Sequence, residues 1–270
     1  MAGTEKPLAG KRIVVTRAPA QARELALSLE RLGAEALLLP MVAFSPPDDW
    51  NAVDAALHAW AQFDWVLFTS QNAVRFLRGR ATQLGATSQF AAATPWTAAV
   101  GPATAEAASA EGFRVDYVSK EHSGAGLTRE LSNALTGKTV LLPRSDLADS
   151  RLPDALREIG ARVTEVVAYR TVAPDSPDPA ILADVRAGRA DAILFSSASA
   201  FHNFAALQGA AGLPKLSERV AFAAIGPSTA AAIRDAGVRV EIEAEDSTAD
   251  AFARTLALYY ERPSHAARRA

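Results

Sequence analysis

The chain repeats itself. Gly10-Lys11-Arg12-Ile13-Val14-Val15-Thr16-Arg17 reads against Gly137-Lys138-Thr139-Val140-Leu141-Leu142-Pro143-Arg144, 127 residues further on. At the same spacing Leu32-Gly33-Ala34 matches Ile159-Gly160-Ala161, and Asp64–Ser70 matches Asp191–Ser197. Ala99–Ala105 matches Ala224–Ala230 at a spacing of 125, a slip of two residues. Four matched segments in one order mark a tandem duplication, so any fold for this chain must be assembled from two similar halves.

Each half alternates strands and helices. Arg12–Thr16 is a short β-branched run bounded by polar residues, which suits a strand covered on both faces. Gln21–Leu32 places Leu25, Leu29 and Leu32 at helical spacing, with Gly33 to cap the end. Further strands are expected at Leu37–Leu39, Trp65–Phe68, Ala98–Val100 and Arg114–Val118, and Ser123 is expected to cap a helix running through Leu135. The class is therefore α/β, with two similar lobes, each a parallel sheet flanked by helices. Two proline–aspartate stretches, at residues 45–49 and 174–179, follow the first strand–helix–strand unit of each copy. Proline continues neither a ladder nor a helix, so the chain is expected to cross between lobes there. Residues 263–270 are expected to form a disordered tail.

Bulk properties exclude several classes. Hydrophobic residues make up 49% and charged residues 21%, a globular balance, and no apolar run is long enough to span a bilayer. A net charge of −2 speaks against broad nucleic-acid binding, which needs a basic face. Without cysteine there is no disulfide, thiolate nucleophile or Cys-ligated metal. Met1 to Lys11 carries mixed charge and no apolar core, so a cytoplasmic protein is expected. No G-x-G-x-x-G follows a strand, no P-loop occurs, and Ser70 lies in no G-x-S-x-G elbow. His58, His122, His202 and His265 show no metal-ligand spacing.

Sites in open parallel sheets gather at the carboxyl ends of strands. That rule selects Arg17, Ser70, Gly101, Thr104, Arg144, Ser197, Gly226 and Thr229. Hydroxyls and free backbone N–H groups at helix starts favour an anion, each end contributing only about 0.3–1 kcal/mol. A ligand with many carboxylates engages several at once. Each residue also has a plain structural role: Ser70, Ser197 and Thr229 as N-caps, Gly101-Pro102 and Gly226-Pro227 as turns into helices, Arg17 and Arg144 as surface ion pairs. Tyr169 stands apart, because the equivalent position in the first copy is Val42. A phenol in one copy only suits a single asymmetric reaction; the structural alternative is a ring packed on the linker with its hydroxyl exposed.

Val15-Thr16-Arg17-Ala18, Phe68-Thr69-Ser70-Gln71-Asn72-Ala73-Val74, Val100-Gly101-Pro102-Ala103-Thr104-Ala105, Val167-Ala168-Tyr169-Arg170-Thr171 and Ala224-Ile225-Gly226-Pro227-Ser228-Thr229-Ala230 together resemble uroporphyrinogen-III synthase, over roughly residues 10 to 258. The resemblance implies two lobes joined by a two-stranded linker, residues 1–40 with 172–262 and residues 41–171, with the active cleft between them. It implies hydroxymethylbilane as substrate, no metal or organic cofactor, a monomer, and dehydrating closure to uroporphyrinogen III with ring D inverted. Matched to the family, Tyr169 assists departure of the terminal hydroxyl, and Arg17, Ser70, Gly101, Thr104, Arg144, Ser197, Gly226 and Thr229 bind substrate. In place of the family's glycine-rich loop after Arg144, this chain has Ser145-Asp146-Leu147-Ala148-Asp149, with Arg151 beyond it. The rival readings are a non-catalytic two-lobed binding protein for a small anion, and a regulator that kept the fold without the activity.

Overall fold

In the computed structural model, which describes residues 6–91, 95–209, 211–244 and 248–262, the apolar runs of the first copy become six strands. They are β1 (Arg12–Val15), β2 (Glu35–Leu38), β3 (Ala43–Ser45), β4 (Trp65–Phe68), β5 (Trp96–Ala99) and β6 (Tyr117–Val118). The second copy gives β7 (Thr139–Ser145), β8 (Arg162–Val172), β9 (Ala192–Phe195), β10 (Ala221–Ala224) and β11 (Ile242–Glu243). The tail expected at 263–270 lies outside the described residues.

The strands assort across the repeat. One sheet runs β11-β10-β9-β1-β2 and the other β3-β8-β7-β4-β5-β6. The first two strands of one copy thus complete the sheet begun by the last three of the other. Pairing is parallel throughout β11 to β2, and from β8 through β7, β4 and β5 to β6. The chain divides into two compact units, Met1–Ala43 with Val172–Ala270, and Phe44–Thr171. β3 and β8, the outgoing and returning stretches, are neighbours at the edge of the second sheet. Among the described residues no helix is long and apolar enough to cross a membrane.

Equivalent carboxylates pin the exchanged strands. Asp191, just ahead of β9, accepts from the Arg12 backbone N–H at 2.8 Å and pairs with Lys11 Nζ at 3.4 Å. Asp64, just ahead of β4, accepts from the Thr139 N–H at 2.8 Å and pairs with Lys138 Nζ at 3.4 Å. The acid of one copy fixes the first strand of the other, in both directions. The two pins differ in burial: the Asp191 side chain is 7% exposed and that of Asp64 39%. A hydrogen bond to a charged group is worth more where water cannot replace it, so Asp191→Ala should cost about 2 kcal/mol and Asp64→Ala about half that. Urea denaturation of the two variants checks the order, and equal midpoints would refute it.

Both faces of the second sheet are buried, as unbroken apolar runs require. Val66, Phe68, Leu141, Val166 and Ala168 enter one core with Phe113 and Tyr169, while Trp65, Leu67, Val140 and Leu142 enter another with Leu127 and Leu156. In the first unit Ile13, Val15, Leu194 and Ala223 face Leu25, Leu29 and Phe252. On the opposite side Phe195 packs against Phe201 and Phe204, with ring centroids 5.4 Å away in each case. The helix expected from Ser123 to Leu135 is two pieces, Gly124–Glu130 and Ser132–Leu135. Leu131 leaves helical geometry between them yet stays in the core beside Leu127 and Leu135.

Candidate active site

At the carboxyl edge of the second sheet β4 ends on Thr69-Ser70, and the helix Gln71–Gln83 begins. Ser70 is its N-cap, Oγ accepting from the Ala73 N–H at 3.1 Å. Two strands away, β8 pairs with β7 in steady register until Arg144–Val167, after which Ser145 is opposite Tyr169. One surplus residue, a bulge, has been absorbed. Simple alternation with Val166 inward would turn Tyr169 outward; the bulge lets Ala168 and Tyr169 both enter the core.

The phenol is therefore 7% exposed rather than lying on the linker surface. Its ring stacks on Phe76 at 5.6 Å and meets Phe44 edge-on at 5.6 Å. Its hydroxyl reaches Ser70 Oγ at 3.1 Å. Burial raises the Tyr169 pKa above the ordinary value, against the opposing hydrogen bonds of Ser70, Ser145 and Asn72, so the phenol holds its proton at neutral pH. Ser70 Oγ already accepts from the cap amide. If the Ser70 hydroxyl donates to the phenol oxygen, the Tyr169 proton is left to point at a ligand.

A polar network adjoins the phenol, made of residues that the sequence placed at the rim without assigning them a role. Ser145 Oγ donates to Asp146 Oδ1 at 2.9 Å, which obliges Thr171 Oγ1 to donate to Ser145, also at 2.9 Å. Asp146 Oδ1 further accepts from the Thr171 N–H at 2.9 Å. Asn72 is buried. All four sit within three residues of Ser70, Arg144 or Tyr169, and that adjacency was the available signal.

The other candidates divide between the units. Arg144 is buried and committed: it pairs with Glu165 and donates to the Asp149 carbonyl. Arg151 is exposed and pairs with Asp149. Gly101 occupies the N-cap position of the helix Pro102–Ala110, and Thr104 is buried inside it. In the first unit Ser197 caps the helix Ala198–Gln208 through the Ala200 N–H at 3.1 Å. Thr229 does not cap: Gly226 holds that position, and Thr229 is buried within the helix Pro227–Asp235. The reason is Pro227, which fixes the first helical residue one place after Gly226. Arg17 is half-buried with no hydrogen-bond or ion-pair partner among the described residues, and burial lowers its pKa, partly offset by the charge of Glu24. Two residues past the last paired position, Val15–Leu194, the strands β1 and β9 arrive at Arg17 and at Ser196, whose buried hydroxyl has no partner among the described residues.

Comparison with known proteins bears on the whole chain. The family model described as uroporphyrinogen-III synthase HemD matches residues 23–254. Uroporphyrinogen-III synthase of Synechococcus elongatus is 34% identical, over 91% of this chain and 94% of that one. The enzyme of that name from Chlorobaculum parvum is 28% identical over 92% and 98%. The fold is like that of uroporphyrinogen-III synthetase from Helicobacter pylori, with a TM-score of 0.61, 19% identity, and coverage of 92% of this chain and 98% of that one. A mutant uroporphyrinogen III synthase from Thermus thermophilus gives a TM-score of 0.59 at 23% identity, over 93% and 100%. With a family model spanning most of its length and a relative a third identical from end to end, the chain belongs to the uroporphyrinogen-III synthase family.

Proposed function

We propose that the protein closes hydroxymethylbilane to uroporphyrinogen III, and that Tyr169 assists the first step. The reaction loses water. The C–O bond of the ring A hydroxymethyl group breaks as the pyrrole nitrogen lone pair pushes in, leaving an azafulvene. Ring D attacks through its substituted carbon, and the spiro product fragments and recloses inverted. Uncatalysed closure gives the uninverted isomer, so the protein's task is to hold the bilane folded and to favour one transition state. The buried, protonated phenol on Ser70 is the observation that carries this reading. A raised pKa makes Tyr169 a poor proton donor to water but a persistent hydrogen-bond donor to a departing hydroxyl, which the pyrrole nitrogen expels.

Arg17, Ser70, Gly101, Thr104, Ser197, Gly226 and Thr229 are proposed to hold acetate and propionate arms directly or through adjacent amides. Arg144, already paired with Glu165, is proposed to act on them by shaping the rim. The work is expected to be done in the cytoplasm, by a monomer, without nucleic acid. Incubating the purified protein with freshly made hydroxymethylbilane and separating the isomers tests the reading. Isomer III is expected; isomer I alone would reject the enzyme and leave a binding protein or a silent relative.

A further inference from the structure

On the far side of β7 from Tyr169, the second unit contains a cavity of about 600 Å³ between the helices Gly124–Glu130 and Arg151–Glu158. That is ample for one substituted pyrrole. Its apolar wall is Val100, Leu142, Leu147 and Leu152, which suits a flat ring. Its polar groups are not equivalent. The guanidinium of Arg144 is taken by Glu165 and that of Arg151 by Asp149, and Ser123 and Thr128 satisfy their own helix. Among the described residues, His122 and Thr69 line the cavity without a hydrogen-bond partner.

His122 is also the one described non-glycine residue with positive φ, at 50°. Histidine tolerates that region better than most residues, yet the conformation costs free energy, and such outliers gather at binding sites. Its side chain lies against Gly101, where an added Cβ would meet the imidazole ring at 3.8 Å. A side chain at position 101 would narrow the space beside the ring. The backbone is held in an unfavourable turn, and the exposed side chain it carries has no hydrogen-bond partner among the described residues. It is open to a ligand in the cavity it lines.

We infer that this cavity receives one pyrrole of the substrate and that an imidazole N–H of His122 meets a carboxylate arm of that ring. The inference rests on the proposed bilane reaction and names a contact remote from the bond that breaks. Such a contact is made equally before and in the transition state, so its loss raises KM and spares kcat.

His122→Gly and His122→Asn test it, since both residues accept a positive φ and the turn survives. KM for hydroxymethylbilane should rise about tenfold in each, the low end for a lost hydrogen bond to a charged group, with kcat within about twofold. The melting temperature should hold or rise. Unchanged KM in both variants overturns the contact while isomer III from the parent protein keeps the reaction. Isomer I alone from the parent overturns the reaction and this contact with it. Lower melting temperatures in both variants would mean that His122 serves the fold, and that too overturns the inference.

Discussion

Replacing Tyr169 by phenylalanine is expected to lower turnover about 100-fold or more, the scale on which a positioned acid or hydrogen-bond donor acts, and to leave the fold almost intact. The ring, which stacks on Phe76 and touches Phe44, is retained by the substitution. Ser70 keeps its bond from the Ala73 amide, while the groups that met the phenol oxygen, Ser70 Oγ, Ser145 and Asn72, have to turn to other partners or to water. What disappears is the neutral hydrogen bonding of one hydroxyl, each bond worth about 1 kcal/mol, or about 2–4 °C in a chain of this size. The discriminating measurement is paired: steady-state formation of isomer III, and calorimetric melting. Equal proportional losses would make Tyr169 a packing residue. A large kinetic loss on an unmoved transition would make its hydroxyl part of the chemistry.

The second large expectation concerns the unit Phe44–Thr171. Although assembled from both copies of the repeat, it is continuous in the chain, and its sheet from β3 to β6 lies within those limits but for Ala43 and Val172, the end residues of β3 and β8. Both faces of that sheet are already covered by its own helices. A chain of about 130 residues buries roughly two thirds of its unfolded surface, enough for an independent stability of about 5–10 kcal/mol. Expressed alone, the segment is expected to unfold cooperatively in urea, with fixed near-ultraviolet circular dichroism. A gradual transition, or strong binding of a hydrophobic dye, would show that it depends on the remaining residues.

Much of the fold was legible because it is local. Val66–Phe68 and Ile193–Phe195 announce doubly covered strands by composition alone, and Ser70, Ser123 and Ser197 announce helix starts by position. The proline–aspartate stretches marked where the chain crosses, and the exchange of strands itself was implied by the family resemblance. Less visible was anything decided between distant segments. The bond from Ser70 to Tyr169 joins residues 99 apart, and it exists because a bulge turned the phenol. Arg144 read either as a substrate-binding cation or as a surface ion pair, and the buried pair it makes was out of sight because Glu165 lies on the next strand. Thr229 read as a cap because hydroxyls at helix starts usually are, and the proline two residues earlier moved the start. The strain at His122 left no trace in composition at all.

Because β8 absorbs one surplus residue just ahead of the phenol, this strand can lose a residue at that point without turning Tyr169 over, where a regular strand would flip every side chain beyond the loss. Removing Ala168 would take out the surplus residue itself: Tyr169 would follow Val167 by simple alternation, still opposite Ser145, and its ring would stay on the Val166 side between Phe44 and Phe76.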